Sequence, residues 1–543
     1  MKQMGKWVSA IFMTAVMVFS QCHIASAAIP KKYWSYQQPF INAVNAKNNP
    51  EIIRLGTEIM KVFQNQPLDK DKAGILYSTY DGMYPAYERQ GNYEMAIKCL
   101  KAQVPYGEYL GFTDGVKIAK ARIRMIDPMT EVYALTQDIS LTPYYGMKHE
   151  PRAGTYWGRV FTKDGQAPFG TETAISFYVE CLQENVESYD YLLRPYANGD
   201  KIIHIALNMP NENDSLKAVL QPEADSYLRN TLEYLKSLNA PVLLRIGAEM
   251  NVWQNLAQPE IYKQAYIKIA NMARTIAPNV GLVFSPNDIS NWNADISNYY
   301  PGDAYVDWVG VSLYTDKYRS AQNPVAGKDF EEMYYGNGAY ANPITKLGDI
   351  VQRYGNKKPI FITECGIGSA IASNNTNLTD FAQKKMDILY HYVSMVYPQV
   401  KGIIYFDVDL NNNKFRYSLS KNPQIMAQYT ALTQNNPTFL TSLNQTPSVY
   451  VKAEKFKQQT SVLQLASYCI LPGDVSVSVT YYLDGKTVGG GTTIPYNCSI
   501  QTGEIAVGAH ELKVEFKGAN GYSKMKTYSL VKGQDSTIYL TAK

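Results

Sequence analysis

Two glutamates stand where apolar runs end. PVLLRIG (241–247) is followed by Ala248 and Glu249, and PIFIT (359–363) runs directly into Glu364. A carboxylate at the end of a buried strand is costly to desolvate unless it is hydrogen-bonded or put to use. Two of them on different strands suit a reaction in which one carboxyl gives a proton and the other attacks. With the groups about 5–5.5 Å apart, the second carboxylate reaches a sugar's anomeric carbon directly, and no water fits between them. Loss of the attacking charge on ester formation would lower the first group's proton affinity and turn the acid into a base. The five His residues are scattered without an HExxH-type cluster, and no Cys pair has zinc-ligand spacing. Neither metal nor cofactor chemistry is indicated.

The elements that must position this pair can be read from hydrophobic patterning. Short runs rich in β-branched and aromatic residues lie at KIIHIALN (201–208), PVLLRIG (241–247), GLVFSP (281–286), WVGVSLY (308–314), PIFITE (359–364) and GIIYFDV (402–408). Amphipathic helical stretches at 223–238, 259–277, 343–354 and 379–396 separate them. Continuous apolar strands alternating with helices indicate a parallel sheet covered on both faces. GTYWGRVF (154–161) and AISFYVEC (174–181) raise the number of strands to eight, which predicts a (β/α)8 TIM barrel over 139–440. The 115 positions from Glu249 to Glu364 accommodate three βα units of about 30–40 residues each. That places the glutamates on strands 4 and 7, across the barrel mouth from one another.

The flanks have different textures. Lys2 and Lys6, an apolar stretch from Trp7 to Phe19 and the small-residue IASAA ending at 28 have the order of a secretory signal peptide. The expectation is an exported, extracellular or envelope-associated protein with no membrane span after cleavage. Residues 29–138 read as helical. Within them, KAGILYSTYDGMYPAYERQGNYEMAIKCLKAQ (72–103) resembles a tetratricopeptide helix pair through Tyr87, Gly91, Tyr93, Ala96 and Leu100. Residues 441–543 alternate apolar and polar positions between DGK, GGG, TGE and GAN turns, an all-β sandwich pattern. YYLDGK, PYN and the G-x-HEL-x-V segment there resemble bacterial immunoglobulin-like modules. Cys469 and Cys498 share this region, and export to an oxidising compartment predicts a disulfide between them. The formal charge of +4 includes the two leader lysines, and no basic run occurs anywhere, which argues against nucleic-acid binding. Forty-four tyrosines suit amphipathic ligands such as sugars.

PVLLRIGAEMN, YYPGDAYVDWVGVSLY (299–314), FITECG (361–366) and GIIYFDVD resemble glycoside hydrolase family 26, and GTYWGRV and APNVGLVFSPND (277–288) extend the likeness over roughly 150–410. The resemblance implies a retaining endo-β-glycanase, mannanase-like, with Glu249 as acid/base and Glu364 as nucleophile. It also implies that Tyr314 hydrogen-bonds the nucleophile, that Arg245 and Asn251 support the acid/base strand, and that Tyr405 lies at the site. Trp253 and Trp292, after strands 4 and 5, are expected as sugar-stacking platforms; Trp308 is expected in the core, and Asp303 and Asp307 in loop shaping. The sequence departs from the family pattern in having Ala248 where His precedes the acid/base, in lacking the Gly of EMNG-x-W, and in carrying Tyr405-Phe406 where Trp is common. Alternative readings are a catalytically weak barrel that binds envelope or extracellular polysaccharide, and a hydrolase of the cell's own wall polymer.

Overall fold

The computed structural model describes residues 29–161, 170–209, 214–252, 258–287, 295–315, 343–410, 414–472 and 476–543. The expected signal peptide (1–28), Trp253 and Trp292 lie outside them. Five helices come first: α1 Lys31–Asn45, α2 Asn49–Phe63, α3 Lys70–Arg89, α4 Tyr93–Leu110 and α5 Thr113–Ile126. Each packs against the next in sequence. Asn48, Asp69 and Asn92 accept a backbone N–H at the starts of α2, α3 and α4, satisfying donors the helix itself leaves free. Gly91, in the left-handed region at φ +72°, turns the chain between α3 and α4.

Eight parallel strands then close into a barrel: β2 Tyr156–Val160, β3 Ala174–Glu180, β4 Ile202–Asn208, β5 Val242–Ile246, β6 Val280–Phe284, β7 Trp308–Thr315, β8 Ile360–Ile367 and β9 Val400–Tyr405. β9 pairs with β2 to complete the ring. The principal covering helices are α6 Asp225–Ser237, α7 Pro259–Ile276, α8 Thr345–Tyr354, α9 Thr379–Val396 and α10 Pro423–Gln434. The expected strands and helices are therefore present, with shifts of at most three residues at their ends.

The barrel interior is a packed core. Tyr156, Val160, Leu243, Val283, Trp308, Phe361 and Ile404 form one buried cluster. Trp308 is fully buried, as expected, and donates its indole N–H to the Lys148 carbonyl at 2.7 Å. Burial of a side chain that large contributes about 2–3 kcal/mol, and the hydrogen bond keeps the indole nitrogen from subtracting from it. Asp307 accepts from both terminal nitrogens of Arg274 at 2.8 Å and from the Leu282 N–H, and Asp303 accepts from Tyr300 and Lys357. Both aspartates thus shape the approach to β7.

Two antiparallel sheets make up the C-terminal region. One, in the order β10 (Val449–Lys452), β1 (Met129–Thr136), β12 (Val462–Ile470), β15 (Cys498–Gln501), has four strands. The other, in the order β11 (Lys457–Gln459), β18 (Thr537–Ala542), β17 (Ser523–Lys532), β16 (Gly508–Gly518), β13 (Val477–Leu483), β14 (Lys486–Gly491), has six. Two expectations are corrected here. Residues 129–136, read as the end of the helical region, form a central strand of the first sheet, paired to β10 on one side and β12 on the other. The helical region therefore ends at Ile126, and the β region takes its strands from both sides of the barrel. The Cys469–Cys498 disulfide is absent, and both residues are buried thiols. Register explains it: Cys498 lies opposite Leu465, four residues along β12 from Cys469. At about 3.4 Å per residue that is about 13 Å of offset, twice the Cα separation a disulfide can span.

Candidate active site

The C-terminal ends of the barrel strands bring polar side chains together. β5 ends at Ile246, and both Gly247 (φ +60°) and Glu249 (φ +56°) adopt left-handed backbone. For glycine this is ordinary, but for a glutamate it is an uncommon, strained conformation of the kind that concentrates at functional sites. It is held by the Glu249 N–H donating to the Ser285 carbonyl at 3.0 Å and the Val252 N–H donating to the Glu249 carbonyl at 3.1 Å. Asn287, just past β6, donates its amide to Glu249 Oε1 at 2.8 Å. Asn251 locks Asn287 in place by exchanging two hydrogen bonds with its backbone, at 2.7 and 3.0 Å. Asn251 is fully buried and acts on the carboxylate through Asn287, not on the cleft.

Glu364 is aimed by a strand irregularity. On β8, Phe361 and Thr363 face the interior, so strict alternation would send Glu364 outward. The pairing with β7 skips a residue here: Val311 opposes Ile362, but Ser312 opposes Glu364. The bulge turns two successive residues inward. Thr363 bonds to Ser285 at 2.7 Å in the interior, and Glu364 enters the site while Cys365 points out to Tyr390. That arrangement answers for Cys365, a buried thiol whose pKa burial raises, and not a reactive one.

Three donors converge on Glu364. Arg245, its side chain fully buried on β5, places Nη1 2.9 Å from Oε2 and Nη2 2.7 Å from Ser312 Oγ. Tyr178 on β3 donates to Oε2 and Tyr314 on β7 donates to Oε1. Burial first, then the Glu364 charge, hold both phenols well above their ordinary range, with Glu249 adding to the effect. Burial works against the Arg245 charge, but Glu364, Tyr178 and Glu249 outweigh it and raise its pKa. The two carboxylates thus act electrostatically on the same three side chains. Phe406 packs edge-on against Tyr178 and Tyr314, and Tyr417 packs edge-on against Tyr314, forming an aromatic wall beside Glu364.

Of the residues proposed from sequence, the structure gathers Glu249, Glu364, Arg245, Asn251 and Tyr314. Tyr405 does not join them. It faces outward from β9, fully buried, and donates its hydroxyl to the Tyr417 carbonyl at 3.0 Å. Its neighbour Phe406 is the one that meets the site. Sequence reasoning missed Tyr178, Asn287 and Phe406. Asn287 was findable by the rule that found the glutamates, since it is a polar residue ending the GLVFSP run. Among the described residues no group of three His, Cys, Asp or Glu could hold a metal ion.

The profile of Glycosyl hydrolase family 26 matches residues 200–382, a span that holds Arg245, Glu249, Asn287, Tyr314 and Glu364. The match runs from the start of β4 into α9, and so covers most of the barrel and none of the flanking regions. Among solved structures, the fold is similar to a GH26 β-mannanase from Bacteroides ovatus, with 15% identity, 53% of this chain and 90% of that chain covered, and a TM-score of 0.36. It is also similar to GH26C from a Muricauda species, with 14% identity, 53% and 87% coverage and a TM-score of 0.36. A Bacteroides uniformis β-glucuronidase matches over 70% of this chain and 47% of its own, at 12% identity and a TM-score of 0.36. No curated protein matches the chain in sequence. The profile match supports a glycoside hydrolase, and no described helix is long and apolar enough to cross a membrane.

Proposed function

We propose that this protein is a secreted, retaining endo-glycosidase that cleaves a β-linked polysaccharide, mannan or a related β-glycan, by double displacement. The observation that carries the reading is the convergence of Glu249 and Glu364, from strands 4 and 7, on one cluster formed by Arg245, Tyr178 and Tyr314. Glu364 has an ion pair and two phenol donors, which stabilise negative charge on an attacking oxygen and fix its direction. Glu249 accepts an N–H of the Asn287 amide, which fixes the direction of its carboxyl.

In the first step a Glu364 oxygen attacks the anomeric carbon while Glu249 delivers its proton to the departing glycosidic oxygen. The C–O bond to the leaving sugar breaks as the ester bond to Glu364 forms. With the Glu364 charge consumed, Glu249 takes a proton from water, whose oxygen attacks the same carbon and releases Glu364. Two inversions leave the anomeric configuration unchanged. Secretion rests on the charge, apolar core and A-x-A order of residues 2–28. The choice of β-glycan rests on the family.

The test is hydrolysis of a panel of β-mannans, β-glucans, xylans and bacterial wall polymers by the purified protein, with the anomeric form of the first product followed by NMR. Turnover with retention, lost in Glu364→Ala, is expected. Binding without turnover would point to a polysaccharide-binding barrel, and initial inversion would overturn double displacement.

A further inference from the structure

A cleft of about 390 Å³ lies between the barrel and the four-stranded sheet, and shares no lining residue with the site at Glu249 and Glu364. His391, late in α9, and Asn435, just after α10, form its barrel side. Helices that follow barrel strands run back toward the N-terminal face, so these residues mark the end of the barrel opposite the mouth. Gln464 on β12 and Ser499 on β15, directly paired across the sheet, form the other side with Asn497.

The lining has a definite chemistry. Among the described residues no Asp, Glu, Lys or Arg contributes to it. The side chains of Asn435, Gln464, Asn497 and Ser499 are exposed and, with that of His391, make no hydrogen bond to other described residues, so their donors and acceptors are open to solvent and to a ligand in the cleft. Burial drives the His391 imidazole down to about 4, so near neutral pH it is uncharged and offers one donor and one acceptor. The half-buried ring of Tyr450 and the face of Pro495 add apolar wall. Mixed donors and acceptors without charge, beside an aromatic ring, complement a neutral molecule that alternates hydroxyl groups with C–H faces. The volume falls within the roughly 300–1,000 Å³ of small-ligand pockets.

We infer that this cleft is a second carbohydrate site, holding a neutral oligosaccharide segment of the polymer cleaved at the barrel mouth; the identity of the ligand rests on the glycanase reading. A polymer held there stays near the mouth at raised effective concentration, which assists long substrates and leaves short ones unaffected.

The experiment uses the full chain carrying Glu364→Gln, so that ligands are not consumed, titrated calorimetrically with β-1,4-linked manno-, gluco- and xylo-hexaose. At least one hexaose is expected to give two sites per chain. Adding Ser499→Trp, which fills the cleft from an exposed strand position, should leave one; the milder pair Asn435→Ala and Asn497→Ala should weaken the second site about tenfold or more. With Glu364 intact, Ser499→Trp should raise KM on polymer about three- to tenfold and leave kcat/KM on a short aryl glycoside unchanged. One site or none in the parent, or two undiminished sites after both sets of substitutions, overturns the inference. The binding assay does not depend on turnover. A wild-type chain that binds two hexaoses and hydrolyses nothing sinks the catalytic reading and leaves the second site standing.

Discussion

Two buried arginines on this barrel make carboxylate pairs, and they do opposite jobs. Arg159 on β2 alternates with the interior residues Tyr156, Gly158 and Val160, so it points outward into the seam where β9 meets β2. There it donates to Glu172 at 2.7 Å and to Asp407 at 2.8 Å, all three side chains almost wholly buried. Asp407 is further satisfied by the Leu419 N–H and the Ser418 hydroxyl. Arg245 on β5 points inward and holds Glu364, whose remaining donors, Tyr178 and Tyr314, come from β3 and β7 at the C-terminal end of the barrel. Burial, geometry and distance scarcely distinguish the two. What separates them is the face of the strand, and hence whether the carboxylate is enclosed on all sides or turned toward a space where substrate can sit.

Substitutions can break that contrast, and Glu364→Gln should have the largest effect. Loss of the nucleophile is expected to reduce turnover by about 10⁴-fold or more with the fold intact. Steady-state kinetics on the best panel substrate reads it, and substantial residual activity would remove Glu364 from the role. At the seam the prediction is inverted. Arg159→Met removes the buried cation that holds Glu172 and Asp407 and should destabilise the protein by about 3–5 kcal/mol, while kcat per folded molecule stays near that of the parent. Chemical denaturation together with active-site titration separates the two; a selective loss of kcat would erase the distinction drawn here.

Next in size is Glu249→Ala, expected to slow natural substrates by about 10²–10⁴-fold. Dinitrophenyl glycosides need no proton for departure, so their first step should be spared. Azide should then restore turnover by attacking the glycosyl-enzyme without a general base. Equal loss on both substrate types, with no azide effect, would show that Glu249 is not the acid/base. Tyr314→Phe removes one hydroxyl donor from a charged acceptor and should reduce kcat/KM by about 1.5–3 kcal/mol, roughly 10- to 150-fold.

The smallest expected effect is on pH dependence. Burial lowers His391 to about 4 in the folded chain, against its ordinary 6.5. Between those values the unfolded chain binds the proton and the folded chain does not, so stability falls as pH drops from about 6.5 to about 4. Buried His204 has the same sign, its imidazole held well below 6.5 by burial and then by Arg245. His391→Gln should therefore reduce the drop in Tm between pH 7 and pH 5. An unchanged drop would show that the imidazole does not titrate differently on folding.

Much of this was legible in the chain because barrels advertise themselves locally. Each strand is a continuous apolar run, each helix follows at fixed spacing, and the site residues stand where the runs end. Glu249, Glu364 and Tyr314 were found by that rule alone or with the family likeness. Three features were hidden. The inward turn of Glu364 depends on a one-residue slip against β7, which no periodicity encodes. Tyr405 and Phe406 are adjacent, and only parity along β9 tells which one meets the site. TEVYALT (130–136) finds its partners more than 300 positions later, so nothing near it in sequence marks it as a strand of that sheet.

That last strand has a consequence for how the protein is made. β1 leaves the ribosome before the barrel, yet its neighbours β10 and β12 are translated only after it. At about 5–20 residues per second, the roughly 310 residues between β1 and β10 take about 15–60 s to synthesise. For that interval the nascent chain carries a central strand with both edges open, a ready template for pairing with another chain. The barrel, some 280 residues of it, folds as an insertion while the sheet on either side of it waits to close. Folding deferred until β10 and β12 are available would remove the hazard altogether.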